Sequence, residues 1–245
     1  MFNSSTSRDP HGLTNASPDQ TMGNAGQLDP TWSHTYSNDF DTFAAGDWTI
    51  TAVGTGTNAL AAGLGGQLLS TTSIGIADSL SLQLVAAGFQ LTPGKPVYFK
   101  FQGQLSDVIN DVFYAGLIAK SATPLTAADG LYFLKATGQA GIVLQSIIGG
   151  VTTSTPIPTP AILVAGVQFE LGIEVDYLGN VAAYFNPTTG DVSINAAANQ
   201  GRGRVASLQG AALTQVLLTP TFGLVNSTAV ARSLSTDYIV AVNNR

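Results

Sequence analysis

Apolar and polar residues alternate with a period of two over much of the chain. Phe169, Leu171, Ile173 and Val175 are interleaved with Glu170, Gly172, Glu174 and Asp176. Val97, Phe99 and Phe101 alternate in the same way with Tyr98, Lys100 and Gln102, and Leu80, Leu82 and Leu84 with Ser81 and Gln83. Such a period places one face against a core and the other in water, the signature of a half-buried strand. Further strands are predicted over 48–53, 66–71, 112–119, 131–136, 142–147, 181–186, 213–218, 221–225 and 237–242. Turn chemistry separates them, at Pro93-Gly94, Asp129-Gly130, Gly149-Gly150, Gly179-Asn180 and Asn186-Pro187. Roughly a dozen short strands without helical periodicity predict an all-β antiparallel sandwich.

Two stretches break this rhythm. Residues 152–160 are Thr- and Pro-rich, which suits a loop or an edge crossing but not a central strand. Residues 193–203 are rich in Ala, Asn and Gly and read as a long loop or short helix. The N-terminal segment differs again. From residue 1 to about 38 the chain is polar and turn-rich, and its apolar residues follow neither helical nor strand spacing. Backbone ordering costs about 1–2 kcal/mol per residue, and this segment has too little apolar area to offset it. It is therefore expected to be an extended arm that orders against another surface, chiefly a neighbouring chain. Phe2, Leu13, Trp32 and Tyr36 are the expected partner-binding anchors, because isolated large side chains on a polar arm need a pocket elsewhere. Residues 39–245 form the expected sandwich domain.

Composition narrows the function. Charged residues make up 10% of the 245 positions, against roughly 25% in an average soluble domain. Nine Lys and Arg stand against fifteen Asp and Glu, a net charge of −6. That balance lacks the basic surplus that nucleic-acid binding requires. With no cysteine, disulfides, thiolate metal sites and cysteine nucleophiles are excluded. No run approaches the ~18 apolar residues of a spanning helix, and the N-terminus lacks an apolar signal-peptide core. Neither a membrane nor a secretory route is expected.

The order of features carries a resemblance. An opening Phe43…Trp48 segment is followed by Val97-Tyr98-Phe99-Lys100-Phe101, Phe113-Tyr114-Ala115-Gly116-Leu117 and Asp129-Gly130-Leu131-Tyr132-Phe133. The strand–turn–strand from Phe169 to Phe185 comes next, and the chain closes on Thr221-Phe222-Gly223-Leu224 and Asp237-Tyr238-Ile239-Val240. Over residues 39–245 this resembles the concanavalin A-like (laminin-G-like) jelly roll of tailed-bacteriophage virion proteins. The resemblance implies two stacked antiparallel sheets with the first and last strands side by side. It also implies a non-enzymatic structural protein that decorates a phage capsid, assembled in the host cytoplasm and located on the virion. The expected partners are the major capsid protein or other virion proteins and further copies of the chain, with no cofactor. The alternative is a carbohydrate- or receptor-binding module of a phage tail or fibre.

Candidate chemistry is sparse. Glu170, Glu174 and Asp176 form the one acidic cluster with a usable spacing, and glycoside hydrolysis needs two carboxylates about 5–10 Å apart. The spacing departs from the Glu-x-Asp-x-x-Glu of hydrolases with this fold, and only Trp32 and Trp48 could line a sugar, so a solvated strand face is expected and no catalytic residue is assigned. Asn38, Asp39 and Asp41 offer oxygen ligands for calcium, but three residues around one turn are common by chance and no metal is expected. Gly201-Arg202-Gly203-Arg204 could grip an anion, although in an acidic protein it more often pairs with the chain's own carboxylates. His11 and His34 read as hydrogen-bonding arm residues. For glycan stacking the candidates are Tyr132, Tyr177 and Tyr184.

Overall fold

The computed structural model describes residues 33–62, 66–157, 162–187, 204–208 and 213–244. Fifteen strands fill it, with two single-turn 3₁₀ helices at Ala45–Asp47 and Pro124–Thr126. In chain order they are β1 (Ser33–Asn38), β2 (Trp48–Val53), β3 (Thr57–Ala61), β4 (Gln67–Thr71), β5 (Ser79–Leu84), β6 (Val97–Leu105), β7 (Asp111–Ala119) and β8 (Gly130–Lys135). There follow β9 (Ile142–Ile148), β10 (Val151–Pro156), β11 (Gln168–Val175), β12 (Val181–Pro187), β13 (Arg204–Leu208), β14 (Leu218–Asn226) and β15 (Ser233–Asn244). No helix among the described residues is long and apolar enough to cross a membrane.

Every strand pairing is antiparallel, and the strands form two sheets. Sheet A runs β13-β12-β11-β6-β15-β4-β3, with β1 also on β15; sheet B runs β10-β9-β8-β7-β14-β5-β2. The first and last strands do lie side by side, in register from Ser33 opposite Asn244 to Asn38 opposite Ile239. The first strand, however, comes from the segment expected to be arm. Its inward side chains are His34, Tyr36 and Asn38, so the alternation is carried by polar and half-polar residues that hydropathy does not register.

The core lies between the sheets. Phe101 sits at its centre, with ring centroids 5.7 Å from Phe113, 6.3 Å from Phe169 and 5.6 Å from Phe222. Phe222 extends the cluster edge-on to Trp48 at 5.4 Å and Phe40 at 6.2 Å. Phe40 reaches this position from a left-handed backbone (φ 53), an uncommon conformation for a bulky residue. A fully buried ring under Trp48 is what holds it there.

A second, smaller core covers the outer face of sheet B. Tyr114, Ile118, Tyr132 and Ile147 are buried there with Ala127, and Leu125 packs on them. Two glycines make the room. Gly116 lies opposite Tyr132, and Gly223 opposite Tyr114. A Cβ on Gly116 would collide with the Leu131 and Tyr132 backbone, and one on Gly223 with the Tyr114 phenol. The expected strand 213–218 is irregular up to Leu218, where β14 begins, while residues 151–156 form β10, an exposed edge strand. Residues 193–203 lie outside the described residues.

Candidate functional site

The alternation of β6 and β11 decides what the outer face of sheet A carries, and its side chains there are half-buried to buried, with Tyr98 and Val242 in a small apolar cluster. With Phe99, Phe101, Leu171 and Ile173 in the core, their neighbours Tyr98, Lys100, Gln102, Gln168, Glu170, Gly172 and Glu174 point outward. Register sets Glu170 opposite Gln102, Gly172 opposite Lys100 and Glu174 opposite Tyr98. Strand β15 adds Tyr238 opposite Gln102, and β12 adds Tyr184 opposite Gly172.

Glu170 is the hub of this face. Its carboxylate accepts a hydrogen bond from the Tyr238 hydroxyl and an ion pair from Lys100 Nζ at 3.0 Å. Lys100 also stands 5.2 Å from the Tyr238 ring centroid, within the range of a cation–π contact. Burial, reinforced by the adjacent Glu170 charge, pushes the Tyr238 phenol well above its ordinary range. It therefore stays a proton donor. A second unit lies four residues along β11, where Tyr184 donates to Glu174 at 2.8 Å. Burial raises the neighbouring Tyr98 phenol, with Glu174 and Asp176 adding to it. Gln102 donates weakly to Gln168 at 3.4 Å. Between the two units Gly172 has no side chain, so the middle of the array is floored by backbone.

The acidic cluster divides on inspection. Asp176 lies beyond the end of β11 and closes the β11–β12 turn: its carboxylate accepts from the backbone N–H groups of Leu178 and Asn180, both at 2.8 Å, and from Asn180 Nδ2 at 2.8 Å. Burial would raise its pKa, but these hydrogen bonds outweigh burial and lower it. Glu170 and Glu174, four strand residues apart, are separated by roughly 13 Å along the backbone, too far to act as the carboxylate pair of a glycosidase.

Other sequence candidates are placed as follows. Tyr36 packs on the core of its own domain, edge-on to Trp48 at 5.8 Å. Phe2, Leu13, Trp32 and His11 lie outside the described residues. His34 packs its ring on Phe89, 4.8 Å between centroids. Tyr132 is buried in the sheet B cluster, Tyr177 is exposed at the β11–β12 turn and Tyr184 is on the sheet A face. Trp48 is a core residue. Asn38 Oδ1 accepts the Phe40 N–H at 2.8 Å, and no group of three or more His, Asp or Glu among the described residues could hold a metal. The Arg204 backbone pairs with Tyr184; residues 201–203 lie outside the described residues.

Comparison with known proteins follows this geometry. No protein-family model and no curated protein sequence matches the chain. Solved structures do match in shape. The endo-β-1,4-glucuronan lyase of Trichoderma reesei aligns at TM-score 0.57 and 12% identity, covering 84% of this chain and 94% of the lyase. The endo-1,3-β-glucanase of Streptomyces sioyaensis aligns at 0.57 and 12%, covering 86% and 96%. Peanut lectin aligns at 0.53 and 9%, covering 86% and 97%. The fold is the lectin-like jelly roll. The expectation of a non-enzymatic protein is corrected by these neighbours: a lyase and a glucanase are built on this jelly roll as well as lectins, so the architecture gives no ground for excluding catalysis. What identities this low share is the fold, and the chemistry has to be read from the side chains on it.

The array on sheet A was only partly visible in the sequence. The alternation exposes Tyr98, Lys100, Glu170 and Glu174, but Tyr238 is hidden by a β-bulge. Register slips between Thr236 and Tyr238, so Thr236 is buried in the sandwich while Tyr238, two residues on, faces outward with Glu170. A bulge re-aims one side chain in this way, and period-two reading puts Tyr238 on the wrong side.

Proposed function

We propose that the outer face of sheet A is a carbohydrate-contacting surface, with the Glu170–Tyr238–Lys100 unit at its centre. The observation that carries this reading is the shared Glu170 carboxylate. In a chain with 10% charged residues, a cation, a carboxylate and a phenol meet on the central strands of sheet A, and a Tyr–Glu pair repeats four residues along. Sugar hydroxyls both donate and accept, and a row of carboxylates, phenols and amides fixed by mutual hydrogen bonds offers them a pre-ordered partner set. Phenol rings add flat apolar surface for the faces of the sugar ring. The fold neighbours that bind or cleave polysaccharides favour the same reading.

The test is binding of the full chain to immobilised neutral and acidic glycans, followed by calorimetry on any hit, with the same glycans assayed for new chain ends. Replacing Glu170 by Gln keeps the shape and removes the charge. It is expected to weaken glycan binding by about 10–100-fold, the worth of a hydrogen bond to a charged group. Binding left unchanged by Glu170→Gln and Tyr238→Phe would sink the assignment.

A structural role on a phage particle is the second reading. Its support comes from the loop end of the sandwich, where Ile74, Ile76, Ile109 and Val230 are exposed.

A further inference from the structure

One ion pair is sealed off from water. Lys135 and Asp111 have fully buried side chains, whereas Lys100 and Glu170 keep 14% and 27% exposure and Arg232 and Asp107 keep 15% and 19%. The strand alternation explains the placement. Lys135 ends β8 on the face that carries Leu131 and Phe133 into the core, and it lies opposite Phe113 of β7. Asp111, two residues before Phe113, shares that face.

The surroundings of the pair favour its neutral form. A buried carboxylate is ordinarily kept ionised by several hydrogen-bond donors. Beyond the contact with Lys135, neither Asp111 oxygen has a hydrogen-bond partner. Burial raises the Asp111 pKa, and Lys135 pulls it back. The amine end is fixed in place, because Lys135 Nζ donates to the Val108 carbonyl at 2.9 Å and to the Asp111 carbonyl. When the third ammonium proton passes to the carboxylate, two N–H groups remain for those two carbonyls. The freed lone pair takes the place of that proton, directed at the carboxyl group. An amine and an acid are then held in contact with water excluded, the condition under which an intramolecular reaction gains most from position.

We propose that Lys135 and Asp111 condense to an isopeptide bond that links β8 covalently to β7. The ion pair is the starting state, and its proton transfer gives the neutral amine and acid. Lys135 Nζ then attacks Asp111 Cγ and forms the C–N bond. A proton moves from the nitrogen to the departing hydroxyl, the C–OH bond breaks and one water leaves. Neither carbon changes oxidation state, so no oxidant, reductant or further substrate takes part. In water such a condensation runs uphill, because amine and acid gain more as hydrated ions. In the core that hydration is absent, and the amide removes both buried charges. The link closes the chain between residues 111 and 135 and restrains the unfolded state as a disulfide does, in a protein without cysteine.

Intact-mass spectrometry of the folded full chain, followed by proteolysis and tandem mass spectrometry, tests this. The expected mass is one water below that of the sequence, with a branched fragment joining Asp111 to Lys135. Lys135→Met and Asp111→Ala are expected to keep their full sequence masses. The decisive measurement is on the unaltered chain, so it does not depend on either variant folding. A wild-type chain at its full sequence mass overturns the proposal. So does a water lost at another position, or the same loss in either variant.

Discussion

Lys135 and Asp111 are both fully buried and form an ion pair at the end of the core. Lys135 Nζ also donates to the Val108 carbonyl at 2.9 Å and to the Asp111 carbonyl, so its three protons are all used. The Asp111 oxygens have no other hydrogen-bond partner, and burial raises the Asp111 pKa against the lowering pull of Lys135. The perturbation is Lys135→Met, which keeps the side-chain length and removes the charge. It strands a buried carboxylate at roughly 3–5 kcal/mol and leaves two carbonyls without a donor at about 1–2 kcal/mol more. Asp111→Asn strands the buried Lys135 ammonium in turn, at roughly 3–5 kcal/mol, eased where the amide oxygen still accepts from it. In the double variant no charge is stranded, so its cost should fall well short of the sum. The assay is equilibrium urea unfolding of all four proteins by tryptophan fluorescence, Trp48 being in the core. A Lys135→Met cost below about 1 kcal/mol, or strict additivity in the cycle, would refute the view that the pair is a coupled, desolvated unit.

Further outcomes follow from the same structure. Gly116→Ala places a Cβ against the Leu131 and Tyr132 backbone and is expected to cost about 3 kcal/mol, measured by the urea midpoint. Deleting residues 1–38 strips β1 from β15 and Tyr36 from Trp48, which should cost roughly 3–6 kcal/mol. Hydrogen bonds lower the pKa of Asp107 and of Asp176 despite a raising contribution from burial. A lowered folded-state pKa gives stability that is present above the unfolded value and lost as pH falls through the folded one. Melting temperature should therefore drop below about pH 4, less steeply in the Asp107→Asn, Asp176→Asn protein; an unchanged slope counts against it.

The parts of the fold legible in the sequence are those where apolar side chains carry the alternation. Strands β5, β6 and β11 are read directly, because Leu80, Phe99 and Leu171 sit on one face with mostly polar residues between, while β7 is read as a continuous apolar run buried on both faces. Strand β1 escaped because Ser33, Thr35 and Ser37 alternate with His34, Tyr36 and Asn38, and its ordering comes from the β15 backbone. Strand β3 escaped for a related reason. Its inward residue Leu60 stays half exposed at the sheet edge, so the pattern Thr-Asn-Ala-Leu-Ala has almost no contrast. The β10 edge was half read: its threonines and Pro156 rule out a central strand but not an edge one. At the candidate site, Glu170 and Glu174 were visible and their partners were not. Tyr238 reaches Glu170 through a bulge, and a bulge leaves no mark in hydropathy.

The scarcity of charge has two opposite effects on this jelly roll. Three ion pairs among the described residues join separate parts of the chain: Lys135 joins β8 to β7, Lys100 joins β6 to β11, and Arg232 joins the β14–β15 loop to the β6–β7 loop. Nearby competing charges are few, so removing one partner leaves the other with no substitute within reach. The 72–78 loop exposes Ile74 and Ile76 while its one carboxylate, Asp78, is bonded inward to Ser73 and Gly75. Solubility then rests on serine, threonine, asparagine and glutamine, which hydrogen-bond to water but do not repel a second copy. A lectin-like sandwich of this composition is therefore tied together at its few ion pairs. Adding acidic residues to the loop tips should raise solubility while leaving Glu170 and its partners undisturbed on sheet A.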